Sequence, residues 1–496
     1  MSMNNQEVLI NLDLGNSVAE FDKELERHFV ENDAFRALIE DKADIIAGDK
    51  GTGKTAIYKY LLHRTASAKI PELADIVIIT GFNPSGSPVF QGLAYTRPLT
   101  EGQYITVWKT YILCLVGNWL LEFLGCDYSE NTRKLDLLLN RIGLRCKDDT
   151  AATVFSRLIK WIQRLINPKN TSLEVTFDAL GIPIITPKLE FGSQVSENEV
   201  IHQTDFILHD DALNLLNSTL TEYPIKIWIA LDRLDEAFVG FTDVELPALR
   251  ALLRTYLDLL AFKQIKLKLF VRKDLFRKIT DDRFVNLTHV NARKREIIWD
   301  EEDLFKLLCK RIRECKHFLT LVNLHNATDK ELFDIIFSEQ VDVGKQKPTT
   351  WKWLLSRTSD GSGSVQPRNL IDLVNKAKEE QLRREQRSPR LYKNGLSLIE
   401  PESIRRALTR LSKERIEDTL LAEASKDVAT LIKGFKDSQV DHNDRTIAKL
   451  FSVDATHAKT FAKTLIDIGF FEQVGESYRI PILYREGLNI NKGKAF

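Results

Sequence analysis

The sequence predicts an α/β protein built around a five-stranded parallel sheet. Five short apolar segments, each typical of a buried strand, alternate along the chain with segments of helical periodicity. Such an alternation favours parallel strands joined by right-handed crossovers. The predicted strands are residues 44–47, Ile76–Thr80, 227–231, 267–271 and 296–299. The second observation is that the first strand runs into a glycine-rich turn, which a helical pattern follows at once.

That turn, residues 48–55, fits the pattern G-x-x-x-x-G-K-[ST] at every specified position. Glycines let successive backbone N–H groups converge on a phosphate, and the helix that begins near Lys54 adds its positive end. Lys54 can reach β- and γ-phosphate oxygens, and the Thr55 hydroxyl can bind Mg²⁺. The strand-loop-helix context disfavours the alternative, a glycine-rich turn with an incidental lysine. The sequence therefore predicts a P-loop for ATP and Mg²⁺, formed by Gly48, Asp49, Lys50, Gly51, Thr52, Gly53, Lys54, Thr55 and Ala56.

A metal-binding carboxylate is predicted at the end of another strand. The apolar segment 227–231 suits a strand buried on both faces, and Asp232 follows it at the edge where ligands bind in open α/β sheets. Asp235 or Glu236 could then orient or deprotonate the attacking water, and the longer side chain of Glu236 favours that residue. The alternative is that these two acids simply start the next helix.

An arginine ends the next predicted strand. Segment 267–271 is followed by Arg272, whose guanidinium would lie beside the γ-phosphate if this strand neighbours the strand before the loop. An ion pair with nearby Asp274 is the competing explanation, and the sequence leaves the two open.

The order of these motifs resembles the signal-transduction ATPases with numerous domains (STAND) and the related origin-recognition branch of AAA+ proteins. Segments 29–60, 231–236 and 478–484 are also similar to stand-alone bacterial P-loop ATPases of antiphage defence islands. The resemblance covers most of the chain outside residues 85–225. It implies a nucleotide-dependent switch, and it implies that Arg368, at the start of a lid helix, contacts the γ-phosphate. The alternative is that Arg368 is an exposed lid arginine without a ligand. Many AAA+ motors have glutamate directly after the metal aspartate, where this chain has Arg233, so we expect slow hydrolysis.

The predicted architecture is an α/β P-loop NTPase core with a parallel five-stranded sheet, a large helical insertion, a helical lid and a C-terminal winged helix. The expected boundaries are a helical lead-in at 1–42, the ATPase core at 43–300, a lid at 301–395 and a winged helix at 396–496. The insertion occupies about 85–225 and includes predicted helices at 151–166 and 200–220, and a β-like patch at 173–191. In the winged helix, helices at 445–451 and 455–468 precede a hairpin of 470–474 and 478–481.

Charge and cysteine content limit the partners and the compartment. Lysine plus arginine equals aspartate plus glutamate, 70 each, so a nucleic-acid footprint would have to be local. The most basic segment, 383–415, could bind DNA or an acidic partner, or it could be an ordinary solvated face. Five cysteines without a C-x-x-C pair and an N-terminus unlike a secretion signal predict a cytoplasmic protein. The apolar stretch 104–124 is predicted to be a buried helix rather than a membrane span.

Two functions follow from these predictions. The favoured one is an ATP-binding, slowly hydrolysing switch, with a separate effector protein or further copies of the chain as its partners, acting in antiphage defence. The alternative is an ATP-dependent DNA-binding loader of the origin-recognition or transposition-helper type, which would use the winged helix and segment 383–415.

Overall fold

The computed structural model describes residues 3–66, 70–81, 99–125, 128–145, 173–177, 183–187, 209–223, 225–234, 236, 242–281, 284–421 and 426–490. The chain divides into two compact units. We call them the sheet unit, made of Asp33–Gly48 and Ile57–Ile297, and the helical unit, made of Met1–Asn32, Asp49–Ala56 and Ile298–Phe496.

Helices and strands are numbered separately along the chain. The described helices are α1 (Asn5–Ile10), α2 (Leu25–His28), α3 (Asp33–Ile39), α4 (Lys54–Ala66), α5 (Glu101–Leu124), α6 (Glu130–Arg141), α7 (His209–Glu222), α8 (Thr242–Leu259), α9 (Lys273–Thr280), α10 (Leu287–Ala292), α11 (Glu301–Glu314), α12 (Lys316–Val322), α13 (Asp329–Ile336), α14 (Thr350–Thr358), α15 (Pro367–Arg387), α16 (Pro401–Glu414), α17 (Lys426–Gly434), α18 (Asp444–Phe451), α19 (Ala455–Asp467) and α20 (Ile482–Arg485). The described strands are β1 (Ile45–Gly48), β2 (Ile76–Thr80), β3 (Leu173–Phe177), β4 (Pro183–Pro187), β5 (Lys226–Leu231), β6 (Ile265–Arg272), β7 (Lys294–Glu296), β8 (Asp441–His442), β9 (Glu472–Val474) and β10 (Ser477–Arg479).

The sheet unit contains the predicted five-stranded parallel sheet. Its strand order is β2-β5-β6-β1-β7, and every neighbouring pair is parallel. Strands β1, β5 and β6 lie inside the sheet and are almost wholly buried, which explains why they read as continuous apolar segments in the sequence. The parallel five-stranded sheet is therefore confirmed.

The fifth strand is shifted from its predicted position. Residues 296–299 were expected to form it, whereas β7 spans Lys294–Glu296 and pairs with β1. Because β1 is only four residues long, the pairing ends with the Ile297 N–H, which donates to the Ala47 carbonyl at 2.8 Å. The apolar residues that suggested a strand follow it, and Ile298 is 75% exposed.

A partly buried charge cluster lies at the amino end of the sheet. It consists of Asp41, Asp44, Lys266, Lys268 and Arg293. The Lys268 side chain is fully buried, and its Nζ lies 2.7 Å from Asp44 Oδ1 and 3.8 Å from the centre of the Trp228 ring. Burial alone would raise the pKa of Asp44, but hydrogen bonds and charge from Arg293 and Lys268 outweigh it and lower that pKa.

Part of the insertion predicted at 85–225 is described. Helix α5 has the expected capping box, in which Thr100 Oγ1 accepts from the Gln103 N–H. It is long and apolar enough to cross a membrane, but 78% of its most apolar window is buried inside the protein, as expected for a core helix. The predicted β-like patch contains the antiparallel pair β3–β4. The helix predicted at 151–166 lies outside the described residues. The helix predicted at 200–220 is described from His209 onward, where α7 begins.

The helical unit is organised around α15, a helix of 21 residues that starts at Pro367. Its far end contacts the N-terminal helix, because the Asn5 side-chain amide donates to Glu385 Oε1 at 2.7 Å. A buried group ties the following N-terminal residues to α11. Within it, Asp22 Oδ2 lies 3.0 Å from His28 Nδ1 and 2.9 Å from the Arg311 guanidinium.

The last part of the helical unit is a small module of helices and strands. Helices α18 and α19 are separated by three residues, and β8, β10 and β9 form an antiparallel sheet in that order. Ser452 has φ +54° where α18 ends, and Gly469 has φ +75° just after α19. The helices and the hairpin predicted at 445–481 are present, although the strands are shorter than predicted. We call residues 441–479 the C-terminal module.

Candidate functional site: the phosphate loop and the carboxyl edge of the sheet

The loop between β1 and α4 has a backbone that requires glycine. Gly51 has φ +85° and Gly53 has φ +103°, values that residues with side chains rarely adopt. Lys54 Nζ donates to the Asp49 carbonyl at 3.0 Å, so the ammonium group curls back over the loop. The Thr52 hydroxyl donates to the same carbonyl at 2.8 Å. We call residues 48–55 the phosphate loop, because its curled backbone and its cation suit an anionic phosphate group.

A tryptophan that the sequence analysis did not single out supports this loop. The Trp299 indole N–H donates to the Thr52 carbonyl at 2.8 Å. Trp299 and Thr52 are 247 residues apart in the sequence, so no local sequence pattern could have indicated this contact.

Arg368 lies against the phosphate loop, near the start of α15. A Cβ atom placed on Gly51 would be 3.2 Å from Arg368 Cβ and 2.9 Å from Gln366 Oε1. The Arg368 Nε atom is shielded from solvent and has no hydrogen-bond partner among the described residues. Burial lowers the pKa of Arg368, and the charge of Glu20 opposes that shift. The structure thus brings Arg368 to the loop with a buried donor still unused.

The carboxyl edge of the sheet unit carries Asp232 directly after β5. Only 2% of Asp232 is exposed. The burial of Tyr58, together with the negative charge of Asp232, raises the pKa of Tyr58 to about 12. The next residue, Arg233, has φ +56°, a left-handed conformation that turns the chain away from the strand. Asp232 therefore lies where the sequence predicted it, at the end of a buried strand.

Arg272 follows the same edge of the sheet, and β6 neighbours β1 as the sequence prediction required. Gly48 pairs in register with Arg272. The guanidinium forms two hydrogen bonds to Asp274, Nε to Oδ1 at 3.1 Å and a terminal nitrogen to Oδ2 at 2.9 Å. Burial would raise the pKa of Asp274, but the charge of Arg272 outweighs it and lowers that pKa. The ion pair that the sequence left as an alternative is thus present.

The candidate catalytic acids are described only in part. Glu236 Oε2 lies 3.4 Å from an Arg233 guanidinium nitrogen, and 41% of the glutamate side chain is exposed. Asp235 lies outside the described residues. Arg233, the arginine that directly follows Asp232, therefore supplies the cation that pairs with Glu236.

The basic segment 383–415 carries fewer available charges than its composition suggests. Seven of its arginines form ion pairs, and several partners lie outside the segment. Arg410, for example, lies 3.0 Å from both Glu379 and Glu380. A composition count within a window misses such partners, because they lie on neighbouring helices.

Two residues near the loop had no functional role in the sequence analysis, namely Gln366 and Asp360. Gln366 Nε2 donates to Asp360 Oδ2 at 2.9 Å, and Asp360 is 9% exposed. A glutamine and an aspartate around a Gly/Ser-rich break look like ordinary loop residues, so the sequence offered no signal for them.

No protein-family profile and no curated protein matches this chain. Among solved structures, the chain is similar to the Walker-type ATPase PABY2304 of Pyrococcus abyssi, at 12% identity and a TM-score of 0.42, covering 97% of this chain and 100% of that one. It is similar to the Aeropyrum pernix ORC2 protein in ADPNP-ADP complexes, at 13% identity and a TM-score of 0.40, covering 92% of each chain. It is also similar to the Aeropyrum pernix ORC1 protein in complex with DNA, at 11% identity and a TM-score of 0.33, covering 92% and 91%.

Proposed function

We propose that this protein is a P-loop ATPase that acts as a nucleotide-dependent switch. The observation that carries the proposal is the phosphate loop, which joins a buried parallel strand to a helix and holds Lys54 over its curled backbone. The buried, unused Nε of Arg368 beside Gly51 supports it further, because a donor of that kind suits a phosphate oxygen.

In this proposal the loop residues Gly48–Ala56 bind ATP and its Mg²⁺. Lys54 contacts the β- and γ-phosphates, Thr55 contributes a hydroxyl to the metal, and Asp232 supports the metal from the end of β5. Mg²⁺ commonly takes one or two carboxylates together with phosphate oxygens, so a single strand-end aspartate is sufficient. Once bound, the metal would neutralise charge on the phosphates, and Arg368 would contact the γ-phosphate.

Hydrolysis in this proposal is slow. Glu236, or Asp235, positions the attacking water, and Arg272 stabilises phosphate charge. The observed partners support a low rate, since Glu236 pairs with Arg233 and Arg272 pairs with Asp274. Both side chains would have to exchange partners before they could act on a nucleotide.

Residues 301–395 and 396–496 are the proposed lid and winged helix, and an effector protein or further copies of the chain are the proposed partners. The alternative function, a DNA-binding loader, is supported by the exposed face of α19, which carries threonines, lysines and a histidine at 456, 457, 459, 460 and 463. The extensive ion pairing of segment 383–415 favours the switch. A role in antiphage defence and a cytoplasmic location stay predictions from the sequence.

The proposal is tested by measuring ATP binding and phosphate release for the full chain. Lys54→Ala should abolish ATP binding, because it removes the cation of the loop. Lys306→Ala is the matched control, since this lysine is on the surface of α11 and pairs with Glu302. Equal ATP affinity in all three proteins would refute the assignment of the phosphate loop. Salt-sensitive binding of duplex DNA that requires ATP would favour the loader instead.

A further inference from the structure

We propose that residues 359–366, the connector loop between α14 and α15, transmit the nucleotide state of the phosphate loop to the C-terminal module through Gln366 and Asp360. The inference rests on the proposed function, because it assumes that a nucleotide binds the phosphate loop. It adds the route by which binding would be signalled, and all of its residues belong to the helical unit.

The first step is the contact between the phosphate loop and Gln366. The Gln366 amide oxygen leaves so little room that a Cβ on Gly51 would be 2.9 Å from it. Gln366 therefore lies close to Gly51, and a rearrangement of the loop around a phosphate would alter this contact. Gln366 also directly precedes Pro367 and Arg368, so movement of the arginine toward a phosphate would carry the glutamine with it.

The second step is the hydrogen bond from Gln366 to Asp360. The amide nitrogen of Gln366 donates to Asp360 Oδ2 at 2.9 Å, and Ser362 donates to Asp360 Oδ1 through its backbone N–H at 3.0 Å and its hydroxyl at 2.6 Å. Both carboxylate oxygens are thus committed to the connector loop. Burial raises the pKa of Asp360, and the charge of Asp49 in the phosphate loop raises it further. Asp360 thus joins Gln366 to Ser362 within the connector loop.

The third step joins the connector loop to the end of α19. The Gly361 N–H donates to the Gly469 carbonyl at 2.7 Å. A Cβ on Gly361 would be 2.3 Å from the Phe471 carbonyl oxygen, and a Cβ on Gly469 would be 3.6 Å from Asp360 Oδ2. Backbone therefore touches backbone here, and a shift of the connector loop cannot be absorbed by side-chain rotation.

The module side of the contact is well packed. Phe471 is fully buried, and its ring stacks on Tyr478 of β10 with 5.7 Å between the ring centres. Displacement of Phe471 would thus reach the β9–β10 hairpin. The packing at both ends gives the connector loop two fixed contacts, with Asp360 between them.

The test is hydrogen–deuterium exchange of the full chain with Mg²⁺ and with ATP, ADP or no nucleotide. In the wild type, we expect the amides of residues 469–479 to differ in exchange between ATP and no nucleotide. Gln366→Ala, which removes the link to Asp360, should reduce that difference at least fivefold. ATP affinity should change less than threefold, because the cation and the backbone of the phosphate loop remain.

Two further variants make the result decisive. Gly361→Ala should likewise reduce the difference at least fivefold, because its methyl group would separate the connector loop from the Phe471 carbonyl. Ser364→Ala, an exposed position in the same loop, should behave as wild type. A full exchange difference in Gln366→Ala would overturn the connector route, as would wild-type protein that binds ATP with no change at 469–479. Absence of ATP binding by the wild type is a different outcome, since it would overturn the proposed function and the route with it.

Discussion

Replacing Arg368 by methionine should stabilise the protein and weaken ATP binding at the same time. The Nε of Arg368 is buried without a hydrogen-bond partner among the described residues. An unsatisfied buried donor costs about 1–3 kcal/mol, and methionine has a similar length without the donor. We therefore expect the free energy of unfolding, measured without nucleotide, to rise by about 1 kcal/mol. That corresponds to a melting temperature roughly 2 °C higher for a unit of this size.

The effect on binding has the opposite sign. A hydrogen bond between charged groups contributes about 1.5–3 kcal/mol, so its loss should weaken ATP binding by roughly 10- to 100-fold. ADP lacks the γ-phosphate, and its affinity should change less than about threefold. The assays are thermal unfolding without nucleotide, and displacement of a fluorescent nucleotide by ATP and by ADP.

A second substitution on the same helix controls for the general effect of losing an arginine. Arg384→Met removes a half-exposed guanidinium that pairs with Glu400 at 3.0 Å, away from the phosphate loop. It should leave both nucleotide affinities unchanged. Equal weakening of ATP and ADP by Arg368→Met would refute the γ-phosphate contact, and unchanged affinity for both would remove Arg368 from the site.

Three other predictions concern binding, turnover and stability. Lys54→Ala should reduce ATP affinity below detection by calorimetry without lowering the melting temperature by more than about 2 °C, since its Nζ donates to a carbonyl of the same loop and surface substitutions usually change the free energy of unfolding by about 0.5 kcal/mol or less. Glu236→Gln should keep ATP binding within threefold and reduce phosphate release at least about 100-fold, as expected for loss of a general base; an unchanged rate would move that role to Asp235. Asp44→Asn should cost about 3–5 kcal/mol at pH 7, because Lys268 then stays buried with less compensating charge. The fold lowers the pKa of Asp44 below its ordinary 3.8, so the carboxylate stabilises the protein above that pH and the stabilisation is lost as the pH falls through the folded value. Urea unfolding should accordingly show a constant difference in the free energy of unfolding between this variant and the wild type from pH 7 to about pH 4, and a smaller difference at lower pH. A difference that does not change with pH, down to the pH at which the protein unfolds in acid, would contradict the lowered pKa of Asp44.

The sequence was sufficient for features set by local physics. Glycine at 51 and 53 is required by positive φ, and continuous apolar segments indicate strands buried on both faces. It was insufficient where two interactions compete for one side chain. Arg272 could face a phosphate or pair with Asp274 two residues later, and only the geometry shows that the ion pair forms. The fifth strand lies earlier in the chain than predicted, because β7 is a polar strand at the edge of the sheet. The apolar residues that follow β7 match the pattern of a buried strand more closely than β7 itself does.

Long-range contacts were beyond the sequence for a further reason. The neutralisation of segment 383–415 depends on acids such as Asp372 and Asp342, which adjoin it only after the helices pack. The same holds for the contact of Gly361 with Phe471, which lies 110 positions away in the chain. Composition and periodicity describe each helix by itself, and they contain no information about which helices become neighbours.

Helix α15 has a mechanical consequence of its own. Its 21 residues span roughly 30 Å, with Arg368 near one tip and Glu385 near the other. A helix of this length behaves as a lever arm, so a tilt of about 5° about its first turn would sweep the opposite tip through about 2–3 Å. That sweep is comparable to the 2.7 Å length of the hydrogen bond from Asn5 to Glu385, so such a tilt would strain that bond. In the proposed switch, a tilt of this helix would therefore alter a contact of the N-terminal helix at the opposite tip from the phosphate loop.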